Sequence, residues 1–182
     1  VQLGVVRRGV RGVQTFKVRR DKIPVYTIDA SYMIDATTGY VRISSFGSTT
    51  HKEFMKACDG LFAQGMRDIV IYLQGNGGGY LQSAVELADE FLGNDEMIVY
   101  TEGRATGRQE YHAHRGALSI GKVVVLVDGY TASAAEILSG ALQDNDRGVI
   151  VGRRTFAKGL VQRPIDMPDG SLIRLTVAHY YS

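Results

Sequence analysis

Cysteine, proline and tryptophan are almost missing from these 182 residues, which hold one Cys, three Pro and no Trp. The single cysteine, Cys58, rules out a disulfide scaffold and any multi-cysteine zinc site, and it leaves the redox compartment open. Three prolines against 22 glycines exclude a collagen-like repeat. No apolar run approaches the roughly 18 residues that a membrane span needs. An initiator methionine and a charged-then-apolar leader are also missing, and residues 177–182 stop inside a strand-like run. The expectation is a fragment trimmed at both ends, for which absent targeting signals carry no weight. What is present is 45% apolar and 22% charged, enough to build a sizeable core and too apolar for a disordered chain.

The net charge of +2 hides an asymmetry. Of 21 basic and 19 acidic residues, the first 22 positions hold seven bases and one acid, Asp21, leaving 14 and 18 for the rest. A basic terminus raises the question of nucleic acid. Here the charges interleave with strand-forming residues and no aromatic stacking platform accompanies them, so a solvated basic hairpin is the better reading and no nucleic-acid partner is expected. Residues 1–7 and 15–20 read as its two strands, joined by a turn over 8–12. Two strands alone are marginal in water, so this piece is expected to belong to a larger unit.

Past Pro24 strands alternate with amphipathic helices. Strands are expected over 39–46, 68–73, 97–100, 122–127, 149–151, 160–165 and 171–178, and helices over 49–64, 80–92 and 133–143. The runs DIVIYL and KVVVLV are apolar on both faces, as buried parallel strands are. Residues 101–116 read as a polar stretch holding His112 and His114. The fold class that follows is α/β, with a mostly parallel sheet and crossover helices.

Two segments place a small-residue loop between a buried strand and a helix start, where open α/β sheets bind ligands. The first is Gly75-Asn76-Gly77-Gly78-Gly79. A phosphate loop needs Lys then Ser/Thr after the last glycine, but Tyr80 and Leu81 follow; a dinucleotide fingerprint needs a third glycine where Tyr80 stands. Both nucleotide readings fail, which leaves an oxyanion-holding loop or a plain tight turn. The second segment is Thr131-Ala132-Ser133-Ala134-Ala135-Glu136. Ser133 at a helix start would feel the free N–H groups and the dipole. Yet Ser133 and Glu136 form an S-x-x-E capping box, which by itself explains both residues.

A serine nucleophile needs a base. None of His51, His112, His114 and His179 lies in a strand-end segment with a carboxylate suited to orient it, and His112-x-His114 lacks the carboxylate helix of a metal site. A lysine serves instead where its surroundings disfavour the charged form. Lys158 sits among small and apolar residues with Arg153 and Arg154 nearby. On a strand, Lys158, Leu160 and Gln162 would share a face, with Lys158 and Gln162 roughly 13 Å apart along the backbone. Taken from its neighbours alone, Lys158 reads equally as a surface lysine beside a turn glycine.

Taken together, the letters resemble the carboxy-terminal processing peptidases, or tail-specific proteases, which are Ser-Lys serine proteases. The resemblance rests on GYVRISSF from Gly39, the Gly75–Gly79 loop, TASAAEILSGALQDNDRG from Thr131 and VGRRTFAKGLVQ from Val151, with Asp169-Gly170-Ser171 and the 175–181 strand behind them. It covers nearly the whole chain from Gly39, and the 25 positions from Ser133 to Lys158 and the four from Lys158 to Gln162 match the family spacing.

The resemblance implies a ClpP/crotonase-like fold over residues 23–182, preceded at 1–22 by the last strands of a PDZ domain. It implies Ser133 as nucleophile, Lys158 as general base and Gln162 as the residue that orients the lysine. The backbone N–H of Ala134 and one from Gly77 or Gly78 would form the oxyanion hole, with Glu136 in support. No cofactor or metal is implied. The substrates would be proteins or peptides held by their C-terminal tails, the setting a bacterial cell envelope or periplasm, with room left for an adaptor or regulatory protein.

Two positions depart from the family pattern: Tyr72-Leu73-Gln74 replaces Asp-Leu-Arg before the glycine loop, and Ala157 replaces the glycine before the lysine. The first bears on how the loop is anchored. The second would cost on the order of 1 kcal/mol if that position needs positive φ. Two rival classes remain: a crotonase-type acyl-thioester enzyme using the same sheet and glycine loop, and a noncatalytic peptide-binding module of the same ancestry.

Overall fold

The computed structural model describes residues 1–21, 25–114, 116 and 118–182. In chain order the elements are β1 (Gln2–Val5), β2 (Gln14–Lys17), β3 (Ile28–Met33), β4 (Thr38–Ile43), α1 (Thr50–Phe62), β5 (Asp68–Tyr72), α2 (Leu81–Asp89), β6 (Met97–Gly103), β7 (Gly107–His112), β8 (Val123–Val127), α3 (Ala134–Asp144), β9 (Val149–Gly152), β10 (Leu160–Asp166) and β11 (Leu172–Tyr181). The boundary expected at residues 22 and 23, and Pro24 beside it, lie outside the described residues.

The central sheet has the order β3-β4-β5-β8-β9, parallel from β4 to β9 with β3 antiparallel at the edge. Each parallel step crosses over through a helix, as the alternation of patterns requires. Strand residues of even spacing turn Val41, Ile43, Ile69, Ile71, Val123, Val125 and Val127 toward the helices. Phe54, Leu61, Leu87, Leu138 and Leu142 meet them from α1, α2 and α3. Each such side chain contributes about 1.5–3 kcal/mol by leaving water. On the opposite face Tyr32, Tyr40 and Tyr72 stack in a row, with centroids 4.8 and 5.9 Å apart, and the Arg42 guanidinium lies 5.3 Å from the Tyr72 ring. The expected α/β class therefore holds.

A second sheet, wholly antiparallel with order β10-β11-β6-β7, is not evident from the sequence pattern. The polar stretch after residue 100 is in fact the return strand of a hairpin. Its residues Arg108, Gln109 and Glu110 are polar and exposed on both faces, so no apolar alternation marks it. Arg108 lies 3.8 Å from the centroid of Tyr100 on the facing strand and pairs with Glu110 along its own strand, so a cation–aromatic contact supports the backbone pairing where burial is lacking. Strand β3 is likewise absent from the sequence-based expectations, although Ile28, Ala30 and Tyr32 of IDASYM alternate with Asp29 and Ser31. The hairpin β1–β2 pairs in register from Gln2 with Lys17 to Val5 with Gln14 and forms a separate two-stranded sheet.

Cys58 lies on the inner face of α1 with no solvent exposure, and burial first, then Asp59 and Glu90, push its thiol up to about 12. At pH 8 the native protein is expected to give no reaction with a thiol-specific disulfide reagent, and one equivalent after unfolding in guanidinium. Titration of a free thiol in the native state would contradict this packing.

Candidate active site

The parallel strands β4, β5 and β8 end side by side, and the loops leaving them are sewn together by hydrogen bonds. After β8, Asp128 Oδ1 accepts the N–H groups of Gly75 (3.0 Å), Tyr130 (2.9 Å) and Thr131 (3.1 Å). These donors, Gly75 foremost, hold the Asp128 carboxyl below the usual carboxylate range. Buried Thr131 donates its hydroxyl to Leu73 O at 2.9 Å. The glycine loop is thus anchored from Asp128 and Thr131. Of the two residues that depart from the family pattern, Tyr72 belongs to the aromatic row and Gln74 makes a long contact of 3.4 Å to Val127 O.

Asn76, with no solvent exposure, is the inner anchor of the same loop. Its Nδ2 donates to Ile43 O (2.8 Å), its Oδ1 accepts the Gly78 N–H (2.8 Å), and its carbonyl accepts the Ala132 N–H (2.9 Å). One residue, through its side chain and its carbonyl, therefore joins β4, the glycine loop and the segment that carries Ser133. Gly78 has φ +88°, and a Cβ there would stand 2.5 Å from Ala132 O and 2.7 Å from Ser133 Cβ. The loop backbone lies against Ser133 because that position has no side chain.

Ser133 is nearly buried and holds φ +59°, ψ −121° at the N-cap of α3. Non-glycine residues in such conformations cost on the order of 1–3 kcal/mol and concentrate at functional sites. Ser133 Oγ lies 3.0 Å from Tyr180 OH, and the capping box with Glu136 is present, with Ser133 N–H donating to Glu136 Oε2 (2.8 Å). Among the described residues, neither the Ala134 N–H nor the Gly77 N–H has a protein acceptor, whereas the Gly78 N–H is already given to Asn76.

The Lys158 segment reaches this place through Glu136. Besides Ser133 N–H, its carboxylate accepts the Thr155 hydroxyl (2.7 Å), the Ala157 N–H (2.7 Å) and the Lys158 N–H (2.9 Å). Ala157 has φ +65°, so the position does require the left-handed region. Lys158 precedes β10 and is not part of it, so the shared strand face expected for Lys158 and Gln162 is replaced by a turn leading into a strand. Even so, Ser133, Lys158, Gln162, Gly77, Gly78 and Tyr180 all line one cavity of about 710 Å³. Ala134 lies buried behind Ser133. Among the described residues no side-chain hydrogen bond joins Lys158 to Ser133 or to Gln162. None of the four histidines lines the cavity. His51 pairs with Glu90 (2.7 Å), His112 with Glu110 (3.2 Å) and His114 with Asp89 (3.3 Å). Among the described residues no group of three His, Cys, Asp or Glu could hold a metal ion. Sequence reasoning passed over Asn76 and Tyr180. The first carried no signal beyond its place among glycines, and the second none beyond its place in a strand.

Comparison with known proteins gives a consistent result. Residues 37–182 match Peptidase family S41. A carboxyl-terminal-processing protease of Picosynechococcus sp. is 42% identical over 172 residues, covering 92% of this chain and 41% of that protein. A carboxy-terminal processing protease of Bacillus subtilis is 35% identical over 180 residues, covering 99% of this chain and 38% of its relative. Among solved structures, a photosystem II D1 C-terminal processing protease superposes with a TM-score of 0.74 at 33% identity, covering 93% of this chain and 47% of the other. The chain thus spans about two-fifths of the length of the curated relatives it matches.

Two outcomes follow from the backbone geometry. Ala157→Gly removes a left-handed alanine and is expected to raise stability by about 0.5–1 kcal/mol, after the greater freedom of glycine in the unfolded chain is counted. Urea unfolding measures it, and a loss of stability would contradict the strain. Gly78→Ala should destabilise by roughly 2–4 kcal/mol because the added carbon meets backbone. Gly77→Ala, where a Cβ meets open space, should cost less than about 1 kcal/mol.

Proposed function

The chain belongs to peptidase family S41, and on that premise we propose that it is the catalytic part of a serine endopeptidase that cuts proteins held by their C-terminal tails. One observation carries the assignment of roles. The Glu136 carboxylate binds the backbone N–H of Ser133 and of Lys158 together, so residues 25 positions apart open on one cavity.

In this reading Lys158 Nζ, as the free amine, takes the proton of Ser133 as Oγ attacks the scissile carbonyl. The new C–O bond pushes the carbonyl pair onto oxygen, and the unoccupied N–H groups of Ala134 and Gly77 receive that charge. Gly77 is the better loop donor because the Gly78 N–H is engaged by Asn76. Collapse expels the amine, protonated by the Lys158 ammonium, and leaves an acyl-enzyme that water hydrolyses by the same steps. Gln162 is assigned to orienting Lys158 from the exposed side of the cavity.

Residues 1–22 are assigned to the end of a PDZ domain. Hairpin β1–β2 supports this, because Leu3, Val5 and Phe16 lie exposed on a sheet of only two strands. Substrate tails would dock on that domain, and an adaptor or regulatory protein would act there. The cell-envelope setting rests on the family resemblance.

The test is cleavage of an unfolded protein by the polypeptide with its native flanking sequence, wild type beside Ser133→Ala and Lys158→Ala. Both substitutions are expected to lower kcat by roughly 10³-fold or more while the fold is retained. An inactive Ser133→Ala beside a fully active Lys158→Ala would remove lysine from the mechanism.

A further inference from the structure

The hydroxyl of Ser133 has a side-chain partner, and it is Tyr180. Tyr180 sits near the end of β11, where its pairing with Thr101 of β6 sets its height. Its N–H donates to Gly159 O at 3.0 Å, on the residue directly after Lys158. Its ring packs against the main core, and its OH stands 3.0 Å from Ser133 Oγ. The same residue lines both the cavity that holds Ser133 and a smaller neighbouring one that reaches Lys158 from behind. Tyr180 is therefore fixed at three points, to the core, to the backbone beside the base and to the nucleophile.

We propose that Tyr180 is a further catalytic residue of the Ser133 reaction, its hydroxyl donating to Oγ so that the proton of Ser133 is free to point at Lys158. The proposal rests on the assignment of Ser133 and Lys158 made above. A serine hydroxyl has one proton and two acceptor sites. When Tyr180 O–H occupies an acceptor site, the rotation that would give the serine proton back to Tyr180 is disfavoured. The serine proton passes to Lys158 Nζ as Oγ bonds to the carbonyl carbon, and Tyr180 keeps its own proton throughout. Its hydrogen bond strengthens as negative charge grows on Oγ, and it releases Oγ as the ester forms.

Tyr180→Phe removes the hydroxyl and leaves the ring in its packing. The experiment compares wild type, Ser133→Ala, Tyr180→Phe and Tyr181→Phe in the polypeptide with its native flanking sequence. Tyr181 stacks on Tyr100 and serves as the neighbouring control. The readouts are kcat and KM on a dye-labelled unfolded protein, the rate of Ser133 labelling by a fluorophosphonate, and the melting temperature. Tyr180→Phe is expected to lose roughly 10- to 100-fold in both kcat and labelling rate, with KM and melting temperature unchanged and Tyr181→Phe like wild type. A merely structural tyrosine would move KM and the melting temperature instead, and that result overturns the proposal. So does a Tyr180→Phe enzyme labelled as fast as wild type, or faster, while Ser133→Ala is inert. A wild type that neither cuts nor labels removes the Ser133 assignment and this inference with it, which separates the two failures.

Discussion

Glu136 stands at the third position of α3 with four donors around its carboxylate: the N–H groups of Ser133, Ala157 and Lys158 and the hydroxyl of Thr155. Hydrogen bonds to an ionised acceptor are roughly twice as strong as neutral ones, and the helix start adds a favourable dipole. Removing the carboxylate would leave three backbone N–H groups short of a partner at once. The capping box legible in the sequence is thus only part of what this glutamate does. It uses one carboxylate oxygen to hold the head of the helix and both to hold the loop that brings in Lys158.

Two strained residues depend on that arrangement. Ser133 and Ala157 both sit at positive φ, and both donate their N–H to Glu136. A single left-handed residue costs about 1–2 kcal/mol, and it persists only where the surroundings over-determine it. At Ser133 the strain accompanies the approach of Oγ to Tyr180 OH at the wall of the cavity. At Ala157 it lets the chain turn so that the next residue enters the same space. Burial of Asn76 completes the frame from the other side, tying the glycine loop to β4 and to Ala132.

The cavity lies where two sheets of different character meet. The parallel sheet delivers the glycine loop and Ser133 from its strand ends, as α/β topology favours. The antiparallel sheet delivers Lys158 ahead of β10, Gln162 within it and Tyr180 from β11. Neither sheet alone contains the set. The contact of the Tyr180 hydroxyl with Ser133 and the bonds from Thr155, Ala157 and Lys158 to the Glu136 carboxylate cross between them.

The sequence by itself determined the α/β class, because DIVIYL and KVVVLV are apolar on both faces and the helices between them have clear stripes. It also singled out the loops at 75–79 and 131–136 and flagged Ala157 as a strained substitution, since turn chemistry and capping are local properties. Tertiary structure alone decided the rest. Strand β7 pairs with β6 while its letters at 108–110 are polar, so it reads as loop, and β3 is fixed by its pairing with β4. Asn76 bonds to Ile43 and Tyr180 reaches Ser133, contacts between residues 33 and 47 positions apart, and no local pattern encodes a partner at such a distance. The occupied N–H of Gly78 and the double duty of Glu136 are of the same kind. They depend on which groups the folded chain brings within hydrogen-bonding distance, and that is a property of the packed sheets and not of any one segment.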